Sequence, residues 1–198
     1  MGQMKKTSKK GFTVAELLIV VGIIAVLVAI AIPVFRHKAE KAKEAYDIYT
    51  MRQAASAAID LYYSGLAVTD TDSAAKIGLC WNGGNINERN AYGIYNPATG
   101  GFIKSSSGKY ISDHHGKPYG KGTKIDGGTK YTMGNDRGSY VANLDYTNAV
   151  VMVSIYPLGN NKHVDVYWKN VTGTNVTDYV GGKHKNNDPE YSIRIPLQ

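Results

Sequence analysis

At 198 residues, 43% hydrophobic and with a formal charge of +7, the chain is ordinary in bulk and basic in balance. Lys5, Lys6, Lys9 and Lys10 supply four of those charges before residue 11, leaving +3 for the rest and no basic stripe of the kind that tracks nucleic acid. A single cysteine, Cys80, excludes an internal disulfide, a thiol-built zinc site and a CxxC redox pair, and reads as a small buried hydrophobe.

The first element is the apolar run just after the lysines. Leu17 to Phe35 gives 19 residues without a charge. As a helix they span about 28 Å, close to the hydrocarbon thickness of a bilayer. A secretory signal peptide has a shorter apolar region, about 7 to 15 residues, ending at small residues, whereas this run continues to Pro33 and Phe35. A membrane-spanning helix is the better reading. Glu16 stands near the start of the run, where a carboxylate costs less than at mid-membrane but still calls for a partner. Four basic residues precede the span and four come after it (Arg36, Lys38, Lys41, Lys43), so the charge rule leaves orientation open.

After Phe35 the composition turns to Ala, Lys, Glu, Arg and Gln, all good helix formers, with no breaker before Gly65. Ile48, Met51, Ala55, Ala58, Ile59 and Tyr62 recur at three- and four-residue steps, while Lys43, Asp47, Arg52 and Asp60 fall off that stripe. One helix from about Phe12 to Tyr63 is expected, kinked at Pro33 and with a second soft point at Gly22.

Nineteen of the 22 glycines lie beyond residue 63, so the C-terminal part is expected to be strands and loops. Leu66 to Gly138 shows little periodicity; TDTDSAAKIGL suggests a short helix capped by Asp72 or Ser73, and NGGN and ATGG read as turns. Past Gly138, alternation sets in. Tyr140, Ala142, Leu144 and Tyr146 face one way, and NAVVMVSIYP, HVDVYWKN and YSIRIP each give a strand. Thr147-Asn148 is a candidate hairpin connection and PLGNNK a turn. Val151, Val153 and Ile155, then Val164, Val166 and Trp168, then Tyr191, Ile193 and Ile195, form an apolar face for the helix to cover. The expected class is α+β: a long kinked N-terminal helix packed on a C-terminal antiparallel β-meander.

The pattern Lys9-Lys10-Gly11-Phe12-Thr13, with Glu16 four residues past Phe12 and a long aliphatic run to Pro33, strongly resembles the class III signal of type IV pilins and pseudopilins. The resemblance covers roughly the first 50 to 60 residues. It implies a leader (1–11) removed by a prepilin peptidase between Gly11 and Phe12, N-methylation of Phe12, and a role for Glu16 in subunit assembly. It further implies a transmembrane and polymerisation helix (12–35), an amphipathic continuation (36–63) and a globular head (64–198, with loops to 138 and sheet from 139). The implied partners are further copies in a helical filament, the peptidase, the pilus assembly machinery and the cytoplasmic membrane, with the N-terminus cytoplasmic before assembly and the fibre extracellular after it. Without a disulfide loop, the head resembles pilins of Gram-positive bacteria. A pseudopilin of a type II secretion or DNA-uptake machine shares every N-terminal residue used here, and a membrane-anchored carbohydrate- or surface-binding module is the rival of another class.

Motifs for chemistry are sparse. P-loop, HExxH, GxSxG and paired CxxC patterns are missing, so neither an enzyme nor a cofactor is expected. Asp113-His114-His115 places three metal-ligand types together, but a solvated loop explains them as well, and Asp70 and Asp72 are too few for a calcium cage. The sequons at Asn170 and Asn175 read as strand and turn text. Of fifteen tyrosines eleven lie beyond Tyr63; Tyr140, Tyr146 and Tyr167 fall in expected strands, and Tyr92, Tyr95, Tyr110 and Tyr119 are candidates for stacking on a sugar.

Overall fold

The structure is a computed structural model that describes residues 11–64, 69–103, 117–122, 130–134 and 137–198. It divides into two compact units, Met1–Ala39 and Glu40–Gln198. Helix α1 (Val14–Tyr63) contributes to both and runs unbroken through Gly22 and Pro33. In the first unit its apolar side chains are exposed along the whole length.

The second unit is a seven-stranded antiparallel sheet with the later part of α1 on one face. Short helix α2 (Thr71–Lys76) leads into β1 (Cys80–Asn82), and then come β2 (Asn90–Asn96), β3 (Gly101–Ile103), β4 (Lys130–Tyr131), β5 (Tyr140–Val141), β6 (Ala149–Tyr156), β7 (His163–Thr172), β8 (Asn175–Tyr179) and β9 (Ile193–Pro196). Strands β2, β6 and β7 form the middle. Each outer edge is shared by two short strands laid end to end: β1 and β3 along β2, and β8 and β9 along β7. The split along β2 falls at Gly93. A Cβ there would lie 2.6 Å from Leu79 Cδ2 and 3.0 Å from the Ile103 carbonyl oxygen, so the two short strands converge where no side chain fits. Strands β4 and β5 pair separately.

The core lies between α1 and the sheet. Met51, Ala54, Ala55 and Ala58 repeat at helical steps and are buried against Val151, Val153, Ile155, Val164, Val166, Trp168 and Ile193. The three alanines keep the helix surface low, so the β-branched residues of the sheet reach it. Every residue expected on the apolar face of β6 and β7 is there; Ile195 packs at the margin, and Tyr191 is only half-buried.

Four differences from the sequence reading have physical causes. The aperiodic segment before Gly138 contains β1, β2 and β3, and β2 is a central strand. It escapes a periodicity search because Gly93 interrupts it and because all of its residues but Tyr92 are buried, whichever face they lie on. Only Tyr140 and Val141 of the expected alternating strand are in β5. The residues after them turn, and Tyr140 stacks on Tyr146 with ring centroids 4.4 Å apart while Tyr146 meets Trp168 edge-on at 5.5 Å. Tyr146 also exchanges hydrogen bonds with both backbone groups of Val141, at 3.1 and 3.2 Å, so aromatic packing takes the place of a ladder. Thr147-Asn148 does turn the chain, with Ala149 N–H donating to the Tyr146 carbonyl at 3.0 Å, but it joins a loop to β6 and not two strands. Finally, α2 is capped by Asp70, whose carboxylate accepts from the Ser73 N–H at 2.8 Å, and not by Asp72 or Ser73.

Candidate functional site

The helix begins where its sequence can end the backbone cleanly. Thr13 is the N-cap: its carbonyl accepts the first intrahelical bond, from Leu17 N–H at 3.2 Å, and its hydroxyl accepts from Glu16 N–H at 3.2 Å. Glu16 answers, its Oε2 accepting from Thr13 N–H at 2.8 Å and from the Thr13 hydroxyl at 2.9 Å. This reciprocal arrangement is a capping box, which satisfies N–H groups that the first helical turn leaves without partners. The T-x-x-E spacing that encodes it stands in the sequence just ahead of an apolar run, and is a local signal for a helix start. It also places the helix start at Val14, two residues later than expected. Gly11 and Phe12 precede the cap and are exposed, Phe12 by 86%.

From Phe12 to Phe35 sixteen large apolar side chains stand exposed, and the most apolar 18-residue window of the helix has no residue buried. Fully burying one such side chain is worth about 1.5–3 kcal/mol. Over the whole surface that comes to tens of kcal/mol, more than the net stability of an ordinary domain. Such a surface needs lipid or other helices around it. A core helix passes the same length test, but a core helix is buried.

In the second unit α1 carries a polar site that sequence reasoning missed. The buried stripe continues towards the N-terminus through Glu44 and Asp47, at the same three- and four-residue steps as Met51, Ala54 and Ala58. Asp47 was expected off the stripe; it has no exposed surface. Its carboxylate accepts from Lys121 N–H and Gly122 N–H at 2.8 Å each and from the Tyr140 hydroxyl at 3.1 Å. Burial pushes its pKa up, while the two amides, Tyr140 and the nearby Lys121 pull the other way without cancelling the rise. Burial, together with the same carboxylate, keeps the Tyr140 phenol protonated far beyond the ordinary range. Asp47 thus pins the 119–122 loop and the β5 region to the helix.

The other candidates separate. Asp113-His114-His115 and Tyr110 lie outside the described residues. The Asp70 carboxylate is taken up by the α2 cap. Among the described residues no cluster of three His, Cys, Asp or Glu side chains could hold a metal. Tyr95 faces the helix and is buried, and the Tyr119 hydroxyl donates to the Tyr95 carbonyl at 2.7 Å, so both serve the core. Tyr92 remains half-exposed, on the face of the sheet turned away from α1.

Comparison with known proteins bears on the helix. The family described as "Prokaryotic N-terminal methylation motif" matches residues 6–32, which hold Gly11, Phe12, the capping box and most of the apolar run. "Fimbrial protein EcpC" of Eikenella corrodens is 34% identical over 85 residues. Its N-terminal region thus carries the methylation motif and is similar to a fimbrial protein. The matched stretch is 42% of this chain and 55% of the fimbrial protein, so the chain spans about half the length of that relative. No solved structure matches. The matched motif lies on a helix long and apolar enough to cross a membrane.

Proposed function

We propose that the chain is the structural subunit of a type IV pilus-like surface filament, held in the cytoplasmic membrane with its N-terminus inside and polymerised through α1. The observation that carries the reading is the coincidence of the matched methylation motif with a helix whose apolar side chains from Phe12 to Phe35 are exposed among the described residues. In this reading residues 1–11 are a leader, a prepilin peptidase cuts between Gly11 and Phe12, and Phe12 becomes the methylated N-terminus. Residues 12–35 then span the membrane and later the filament core, with Gly22 and Pro33 as its bending points, residues 36–63 continue into the head, and 64–198 form it. Glu16 pairs with the amine of a neighbouring subunit, which offsets part of the cost of burying both charges.

Intact mass of the surface-exposed protein tests the processing: a species beginning at N-methylated Phe12, lost when the prepilin peptidase is deleted, is expected, and a mature protein retaining Met1 would overturn it. Assembly is tested with Glu16→Gln and Glu16→Ala. Glutamine serves a capping box nearly as well as glutamate but carries no charge. If charge pairing drives assembly both variants lose filaments; if capping is all that matters, glutamine restores them. Filament length in labelled images then separates a pilus from the short fibre of a pseudopilin.

A further inference from the structure

The face of the sheet turned away from α1 holds an open cleft of about 940 Å³. In an antiparallel sheet directly opposed residues share a face, so register alone assembles its floor. Tyr92 of β2 opposes Ser154 of β6, Ser154 opposes Asp165 of β7, and Asp165 opposes Arg194 of β9. One step along, Tyr156 opposes His163, and the two rings stack with centroids 4.3 Å apart and 12° between planes. One step the other way, Tyr167 meets Tyr179 edge-on at 5.2 Å, and the Lys169 ammonium sits 4.8 Å over the Tyr179 ring.

The polar groups of the floor are held in place. Asp165 is buried and receives both Arg194 Nε, at 2.8 Å, and a terminal guanidinium nitrogen, in a two-pronged pair. His163 Nδ1 bonds the Asn161 carbonyl at 2.7 Å, and Ser154 and Tyr167 join hydroxyls at 2.9 Å. Around the rim stand exposed amides, Asn82, Asn87 and Asn161, and half-exposed rings, Trp81, Tyr156 and Tyr179.

The lining decides what could fill it. Its charged residues are Glu88, Asp165, Asp188, Lys169 and Arg194, with no positive excess once Asp165 and Arg194 are paired. A polyphosphate, nucleic acid or sulfated chain would find no counterion surplus to displace. An apolar ligand would strip water from amides and carboxylates without replacing their hydrogen bonds. A neutral polyhydroxylated ring meets both halves of the lining: its C–H faces lie against tyrosine and tryptophan, and its hydroxyls both donate to and accept from asparagine side chains. We infer that this cleft binds a neutral oligosaccharide.

This goes beyond the filament reading and does not rest on it. It also moves the aromatic surface away from Tyr95 and Tyr119, leaving Tyr92 as the one described member of the expected set that lines the cleft.

The test uses the full chain in a detergent without a sugar headgroup, so that failed polymerisation cannot be mistaken for failed binding. Maltotetraose, cellotetraose and chitotetraose are titrated to about 5 mM with saturation-transfer NMR as the readout. Binding of at least one is expected, with a Kd of about 1 mM or tighter for so open a cleft. Tyr156→Ala and the exposed Asn161→Ala should each weaken it about tenfold or more, while Asp60→Ala on the helix leaves it unchanged. Circular dichroism checks the fold, and Asn161→Ala carries the conclusion if Tyr156→Ala unfolds. No binding of all three sugars, binding indifferent to Asn161, or tighter binding of a heparin tetrasaccharide or an oligothymidylate would each overturn the inference.

Discussion

Replacing Asp47 by alanine tests whether the head is fastened to its helix by a buried carboxylate. The substitution removes the acceptor of two backbone N–H groups and one phenol, all inside the second unit. A buried donor left unsatisfied costs about 1–3 kcal/mol, so three would cost about 3–9. Two effects reduce that. Asp47 is desolvated in the folded state, the origin of its raised pKa, and alanine recovers the cost. Lys121 is exposed, so its N–H lies within reach of water. A net loss of about 3–5 kcal/mol is expected. With a slope of about 2 kcal/mol per molar urea the unfolding midpoint of the full chain in detergent, monitored by tryptophan fluorescence, should fall by about 2 M. Tyr140→Phe alone should cost about 1 kcal/mol, because Asp47 keeps its two amides. In the Asp47→Ala background the same change should cost far less, since its hydroxyl is already stranded. The coupling between the two positions is then about 1 kcal/mol. A loss under about 1 kcal/mol for Asp47→Ala, or additive effects of the pair, would refute the pinning role.

The same network and the sheet set three more outcomes. Burial pushes Asp165 up, but its bonds to Arg194 and His163 outweigh that and hold its carboxyl below the ordinary value, so the stability it supplies is present above about pH 4 and lost as pH falls through the lower folded pKa. Asp165→Asn should therefore start less stable at neutral pH and lose less on acidification, as read from urea midpoints across the acid range. Asp47 has the opposite sign: its raised folded pKa favours the fold below the unfolded value and withdraws that support as pH rises through the folded one, so Asp47→Asn should flatten this part of the profile. Gly120→Ala would place a Cβ 2.1 Å from the Tyr146 carbonyl oxygen and 3.0 Å from Trp168 Cζ3. Such overpacking against backbone should cost about 1–3 kcal/mol, visible as a Tm lower by roughly 4 °C per kcal/mol.

What could be read from the sequence was whatever is local and periodic. The long helix, the apolar faces of β6, β7 and β9, and the turn between β6 and β7 all rest on spacing within a dozen residues. Asp47 could not be read that way, because a carboxylate at a core position makes sense only once Lys121 and Gly122, more than seventy residues on, bring their amides to it. The cleft was hidden for a related reason. Tyr92, Ser154, Asp165 and Arg194 carry no shared signal until strand register sets them side by side. The strand expected at Tyr140 to Tyr146 failed in the reverse direction: period-two burial was real, with Tyr140, Ala142 and Tyr146 all buried, but stacked rings produced it and not a ladder. The capping box, by contrast, is local: Thr13 and Glu16 stand three residues apart just ahead of the apolar run.

That box changes what Glu16 can contribute in the proposed filament. A bare carboxylate entering an apolar bundle would carry its full desolvation cost, and an arriving amine would then be worth several kcal/mol. Glu16 is not bare. It already accepts two hydrogen bonds from Thr13 and lies in the first turn, where the helix dipole favours negative charge by about 0.3–1 kcal/mol. Part of the cost is therefore met within the subunit before any neighbour arrives, and pairing becomes an exchange of partners or a shared set, worth only the difference. The bulk of the attraction between subunits in that filament would then have to come from the sixteen exposed apolar side chains between Phe12 and Phe35, which are spread along that stretch and fix no particular register. In the proposed filament a single charge near one end, held by its cap, would supply what they lack: one preferred offset between neighbouring helices, at little gain in total affinity.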